Sequence, residues 1–167
     1  MKRGFTLIEL LVVIAIIGIL ASGVLVYIDP LAQLQKAEDA RRKSDLSQIQ
    51  IALEQSYKDN NGKYPSNPDV NDYRILGLDG AVADWGSSWL PYMNVLPKDP
   101  KLTKKYLYVS GNNGQSYRLY ASLERGGSDP QACKSNGAAC QGVPREVTCG
   151  SKTDMCSYGV SSSNVTP

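Results

Sequence analysis

Residues 5–28 read Phe5-Thr6-Leu7-Ile8-Glu9-Leu10-Leu11-Val12-Val13-Ile14-Ala15-Ile16-Ile17-Gly18-Ile19-Leu20-Ala21-Ser22-Gly23-Val24-Leu25-Val26-Tyr27-Ile28, and Gly4 stands directly before them. Only Thr6, Glu9, Gly18, Ser22 and Gly23 interrupt the apolar run. A helix of this length rises ~36 Å, enough to cross a hydrocarbon core of ~30 Å with some tilt. It needs no amphipathic period, because a helix in lipid can be apolar all round. Two readings compete. One is a retained transmembrane anchor. The other is a secretory signal peptide, with Lys2 and Arg3 as its charged region and a small-residue site near Ala21-Ser22-Gly23.

Glu9 favours the anchor. An acid in a spanning segment costs roughly 2.5–3.5 kcal/mol on insertion scales, less where it snorkels near one end. A disposable signal core gains nothing from carrying that cost. A retained helix does gain, if a cation meets the carboxylate in an assembly. Phe5, the sole phenylalanine, lies four residues before Glu9.

Beyond the apolar run, residues 31–60 continue a helical pattern. Leu31, Leu34, Ala37, Ala40, Leu46, Ile49, Leu53 and Tyr57 form one apolar stripe, mostly at spacings of three and four. Asn60-Asn61-Gly62 reads as a C-terminal stop, and Pro65 forbids continuation. A continuous helix from Phe5 to Asn60 would be ~84 Å long. Only its second half could pack on so small a domain. Pro30 interrupts it at the membrane exit, where a kink is expected.

The composition changes after Gly62. The stretch to Lys101 is rich in proline and holds Trp85 and Trp89, so it reads as a looped connector with core aromatics. Tyr106 to Ser110 and Ser116 to Leu123 are strand-like, and Gly111-Asn112-Asn113-Gly114 between them is a hairpin signal. Cys133, Cys140, Cys149 and Cys156 follow with C-x6-C-x8-C-x6-C spacing. That spacing does not match common structural zinc motifs and no histidine is available, so two disulfides are expected. Of the three pairings, the local ones, Cys133 with Cys140 and Cys149 with Cys156, are favoured. They would staple a Gly/Ser-rich tail with too little apolar content to fold unaided. The last residues, SSSNVTP, are expected to fray, and Asn164-Val165-Thr166 is a glycosylation sequon by pattern only.

The 167 residues leave room for one modest domain plus an extended element. Formal charge is +2; loss of Lys2 and Arg3 would take the basic count from 18 to 16, against 16 acids. A neutral mature chain is not built to coat nucleic acid. Lys104-Lys105 beside Tyr106 and Tyr108 read as a solvated strand edge, so no nucleic-acid partner is expected. The absence of histidine removes the commonest general base, and nothing suggests an enzyme.

Gly4-Phe5-Thr6-Leu7-Ile8-Glu9 and the residues through Ala21 resemble the N-terminal signature of type IV pilins and type II secretion pseudopilins. Asn61-Gly62-Lys63-Tyr64-Pro65, Leu96-Pro97-Lys98-Asp99-Pro100, Tyr108 and Tyr117 to Leu123 are similar, with gaps, to the major pseudopilin of type II secretion. The resemblance implies an α+β fold, with a long N-terminal helix whose second half packs on a small antiparallel sheet. It implies cleavage between Gly4 and Phe5 by a prepilin peptidase and N-methylation of Phe5. Glu9 would meet the amine of a neighbouring subunit and set its register. It also implies a cytoplasmic N-terminus, an inner-membrane precursor, an extracytoplasmic head, and partners that include copies of itself, minor pilins and an assembly platform. Lys36, Arg41, Arg42 and Lys43 on the far side mean that basic residues alone would not set this orientation. The helix breakers Gly18 and Pro30 would ease local melting in a filament. Relatives carry such a proline nearer the middle of the apolar run.

The expected division is a leader at 1–4, a transmembrane and assembly helix at 5–28, the second half of the long helix at 29–61, a head at 62–125 and a Cys/Gly/Ser-rich segment at 126–167. Relatives bind calcium through carboxylates just after the second strand. Here Glu124 and Asp129 stand in that region without a fuller acidic loop, so no cofactor is expected, with calcium the one candidate. The expected function is that of a structural filament subunit, with a secretion pseudopilus first and an adhesive, motility or DNA-uptake pilus second. A soluble binding domain released by a conventional signal peptidase is the alternative of another class.

Overall fold

A computed structural model describes residues 4–69 and 71–167, apart from the side chains of residues 24–28 and 112. The leader residues before Gly4 lie outside that range. The chain forms two compact units, Met1–Ala37 and Glu38–Pro167.

In the first unit, α1 (Leu7–Ile28) is the apolar helix. It stops at Asp29, which adopts the left-handed region with φ 44° and ψ 77°. α2 (Pro30–Asp59) starts at once. The Asp29 carboxylate accepts a hydrogen bond from Ala32 N at 3.2 Å, and its carbonyl accepts from Gln33 N at 3.2 Å. Asp29 therefore caps the new helix. Pro30 occupies the first helical position, where no N–H is needed. The expected kinked continuous helix is thus two helices meeting at Asp29, because Asp-Pro is a start signal as well as an interruption. Among the described residues no helix is long and apolar enough to cross a membrane. Leu7 to Gly23 rises about 26 Å, just short of the ~30 Å core.

The second unit is built on the remainder of α2. Leu46, Ile49, Ala52 and Leu53 are buried at helical spacing, and so are Asp39, Arg42, Asp45 and Ser56 in the same stripe. The helix stops after Asp59; Asn61 and Gly62 beyond it are both at positive φ, and Gly62 N donates to Tyr57 O at 3.0 Å. A two-stranded ribbon follows, β1 (Ile75–Leu76) against β2 (Val82–Ala83). The main sheet has the antiparallel order β3 (Leu107–Gly111), β4 (Ser116–Ala121), β5 (Tyr158–Ser161). A short 3-10 turn over Asn112–Gly114 joins β3 to β4, with Asn113 in the left-handed region. Leu107 lies opposite Tyr120, and Leu119 opposite Val160. Leu46, Ile49 and Leu53 of α2 share one core with Tyr64, Ile75, Trp89, Leu96, Tyr106, Tyr108, Tyr117 and Leu119. This is the α+β arrangement read from the sequence.

Two further expectations change. Residues 161–167 are not frayed: β5 reaches Ser161, Asn164 Nδ2 donates to Gln115 O at 2.9 Å, and Arg118 Nε donates to Thr166 O at 2.8 Å. Backbone pairing and side-chain bonds hold a tail whose composition is that of a loop. The apolar stripe of α2 also does not run its full length. Leu31 and Leu34 are exposed, and the buried stripe begins with charged residues.

Candidate functional site: the N-terminal segment and the tied head

Thr6 is the N-cap of α1, and its extended backbone lets its side chain turn back onto the helix. Thr6 Oγ1 accepts from Glu9 N at 3.3 Å. One Glu9 carboxylate oxygen accepts from Thr6 N at 2.9 Å and from Thr6 Oγ1 at 2.7 Å. This reciprocal capping box satisfies donors that a helix start would otherwise leave open. It also points the Glu9 carboxylate toward the chain end. Phe5 is 82% exposed. A Cβ at Gly4 would meet no atom within 4 Å, so the fold places no demand on glycine there. Gly18 likewise lies in open space within an unbroken α1, and Pro30 opens α2. The apolar residues from Leu7 to Leu20 face outward, Leu7 at 83% exposure and Ile19 at 73%. So large an apolar surface demands lipid or other protein.

The head carries a second constellation, which the sequence reading missed. Arg42 donates from Nε and Nη2 to the two carboxylate oxygens of Asp99 at 2.8 and 3.0 Å, and from Nη1 to Asp39 Oδ1 at 2.9 Å. Asp39 in turn accepts the backbone N–H groups of Glu124 at 2.8 Å and Arg125 at 3.0 Å. Lys43 Nζ grips both oxygens of Asp129, at 2.7 and 2.6 Å. One turn of α2 therefore fixes the loop after β4. The available signal was spacing: Asp39, Arg42 and Asp45 lie in register with Leu46 and Ile49. Burial alone would lower the Arg42 pKa, but the hydrogen bonds and charge of Asp99, with those of Asp39 and Glu124, raise it above its ordinary value. Tyr106 Oη donates to Asp45 Oδ2 at 2.7 Å, which satisfies the third buried acid.

Cys133 is bonded to Cys140, and Cys149 to Cys156. Cys140, Cys149 and Cys156 pack in a small second core with Leu107 and Tyr120. Cys133 N and Cys140 N donate to Ser157 O and Cys156 O, at 2.8 and 2.9 Å, so the two bridges are knitted together ahead of β5. The calcium candidates Glu124 and Asp129 both face cations, with Glu124 Oε1 3.2 Å from Arg42, 3.0 Å from Lys101 and 2.7 Å from Lys104. Among the described residues no group of three or more acids, cysteines or histidines is placed to hold a metal ion. Lys105 stands beside Lys104 before β3, and its N–H donates to Cys149 O at 2.9 Å.

Residues 1–25 match the prokaryotic N-terminal methylation motif, and residues 30–138 match the domain described as type II secretion system (T2SS), protein G. The chain belongs to the type II secretion protein G family. Type II secretion system core protein G of Escherichia coli K12 is 43% identical over 115 residues, 68% of this chain and 76% of that protein. The namesake from Pseudomonas aeruginosa is 33% identical over 135 residues, 78% of this chain and 92% of that protein. That from Klebsiella pneumoniae is 35% identical over 114 residues, 68% of this chain and 79% of that protein. No solved structure gives a significant match. The protein G match begins at Pro30, where α2 begins, and takes in Cys133 but not the other three cysteines. Strand β5 therefore comes from beyond the matched residues, yet it completes the main sheet.

Proposed function

We propose that this protein G family member is the repeating subunit of a type II secretion pseudopilus. It is stored as a single-pass inner-membrane precursor with its N-terminus in the cytoplasm and its head outside. Prepilin peptidase removes residues 1–4, and Phe5 is N-methylated. The assembly helix then leaves the bilayer for a filament built from copies of this chain and minor pseudopilins on an inner-membrane platform. The division proposed for this work is leader 1–4, assembly helix 5–28, connecting helix 29–61, head 62–125 and stapled tail 126–167. The role is structural and no catalytic step is assigned to any residue.

One observation carries this reading. A methylation motif over residues 1–25 leads directly into a protein G region over residues 30–138. The exposed apolar face of α1 agrees with it, since burial of such residues typically contributes about 1.5–3 kcal/mol each once lipid or neighbouring helices cover them. The shared name of the relatives favours the secretion filament over an adhesive pilus. In the filament, the Glu9 carboxylate pairs with the Phe5 ammonium of an adjacent subunit. The pair stabilises only the register in which both charges meet, because either one alone in low dielectric is costly.

Two measurements test this. Mass spectrometry of the membrane-associated protein should give a chain that begins at Phe5 and carries one N-terminal methyl group. A chain that begins after Gly23 overturns the proposal in favour of a signal peptide. Deletion of the gene should leave type II substrates unsecreted with surface pili intact. The opposite pattern would assign the chain to a pilus.

A further inference from the structure

The family resemblance raises calcium at the loop after β4, and the residues there do not fit it. Calcium takes six to eight oxygens at about 2.3–2.6 Å. Here the acids of the loop are already engaged by cations of the chain. Asp129 is held through both oxygens by Lys43, and Glu124 Oε1 faces Arg42, Lys101 and Lys104 together. The Lys104 side chain is only 7% exposed. Its Nζ stands 2.7 Å from Glu124 Oε1, 3.3 Å from Ser122 Oγ, 3.4 Å from Ser122 O and 3.7 Å from Asp154 Oδ1. These oxygens come from the segment just after β4 and from the loop closed by Cys149 and Cys156. Lys104 itself comes from the segment before β3, and next to it Lys105 N donates to Cys149 O at 2.9 Å. An ammonium with three protons stands nearly buried among four oxygens of two segments, as a bound cation would.

We propose that Lys104 is the resident cation of this head, and that the segment after β4 is held by the chain's own ammonium and guanidinium groups instead of a divalent ion. A metal ion added here would share Glu124 with three positive side chains and would be repelled by them. Removing the Lys104 ammonium takes away the nearest of the three, at 2.7 Å, and leaves Arg42 and Lys101. Glu124, Asp154 and the two Ser122 oxygens then face one another with less positive charge between them, and that arrangement accepts calcium.

The test uses the full chain in detergent, with thermal unfolding followed in excess calcium chloride or excess EGTA, and calcium binding followed by isothermal titration. The wild-type chain should unfold at the same temperature in both media and show no calcium heat. Lys104→Ala should unfold at a lower temperature in EGTA and recover with calcium, and Asp154→Asn in that background should abolish the recovery. Lys104→Arg, which keeps a cation, should behave like wild type. If Lys104→Ala does not fold, the wild-type titration still decides. Saturable calcium binding by the wild-type chain, or a fall in its unfolding temperature in EGTA, overturns the proposal. So does a Lys104→Ala chain that folds without gaining a calcium response.

Discussion

Arg42 and Asp99 stand 57 positions apart in sequence and meet through two hydrogen bonds, with both side chains wholly buried. The contact joins α2 to the Leu96–Pro100 segment, and through Asp39 and Glu124 it reaches the loop after β4. A buried pair gives little net stability over a well-packed apolar pair, but losing one partner strands the other charge. Arg42→Met should therefore destabilise the head by about 3–5 kcal/mol, as should Asp99→Ala. Urea unfolding of the full chain in detergent measures this. Arg41 is the control: it is 63% exposed and 3.9 Å from Asp45, so Arg41→Gln should cost at most about 1 kcal/mol. Similar costs at the two arginines would mean that the network is not what joins these segments.

Acid should loosen the head from the loop after β4. Burial alone would raise the Glu124 and Asp129 pKa values, but the lysines override it: Lys104 and Lys101 for Glu124, Lys43 for Asp129. Both acids are held below their ordinary range. Asp154 is lowered as well, mainly by Ser151 and also by Lys104. A folded-state pKa below the unfolded value contributes stability that is complete above the unfolded range, about pH 4, and is lost as pH falls through the folded values. Hydrogen exchange at Glu124 N and Arg125 N should accelerate below about pH 4, once the known acid dependence of intrinsic exchange is removed. Unchanged protection down to pH 2 would refute it.

Alkali acts on the tyrosines. Burial raises the Tyr106, Tyr108 and Tyr117 hydroxyls well above their usual value and pushes Tyr120 up to about 12. An unfolded phenol ionises near 10. The unfolded chain therefore loses protons that the folded chain keeps. Stability is complete below pH ~10 and falls as pH climbs beyond it. Phenolate absorbance from these four tyrosines should appear late, coincident with loss of near-ultraviolet circular dichroism. A single phase near pH 10 with the fold intact would contradict the burial described.

The two disulfides should differ in lability. Cys149 and Cys156 are both completely buried, whereas Cys133 is partly exposed. Mild reduction followed by alkylation should label Cys133 and Cys140 first. Each bridge closes a short loop with a sequence separation of 7, for which chain entropy predicts about 2.5 kcal/mol. Cys149→Ser with Cys156→Ser should exceed that figure, because these sulfurs also pack against Leu107 and Tyr120. Cys133→Ser with Cys140→Ser should exceed it by less, since only Cys140 of that pair is fully within this core.

The apolar helix was legible because nothing competes with an uninterrupted apolar run, and the β3–β4 hairpin because its turn residues sit between two β-branched and aromatic runs. β1 and β2 were not legible. Two residues each carry no period, and the ribbon exists because Ile75 and Ala83 are buried against the core. β5 hid in a Ser-rich tail, where pairing with β4 overrides propensity. The Arg42 network was hidden for a different reason. Charged residues on a helix normally mark its wet face, and only their register with Leu46 and Ile49 points inward.

Glu9 has two candidate partners, and a substitution separates them. Within the chain its carboxylate closes the capping box on Thr6, accepting from Thr6 N at 2.9 Å and Oγ1 at 2.7 Å. In the proposed filament it meets the Phe5 ammonium of a neighbour. Glutamine serves a capping box about as well as glutamate, since its amide oxygen reaches the same donors. It brings no charge to an ammonium. Glu9→Gln should therefore keep α1 and membrane insertion, and cleavage after Gly4 should proceed, while polymer falls sharply. Thr6→Val removes the hydroxyl from the box and should cost the helix start only about 1 kcal/mol. It frees Glu9 for its neighbour, so assembly should be retained. The measurement is the sheared-filament fraction from cells that make only the variant, with precursor and mature forms resolved by mass. If Glu9→Gln assembles as well as wild type while Thr6→Val does not, Glu9 serves its own helix, and the charge pairing proposed between subunits is wrong.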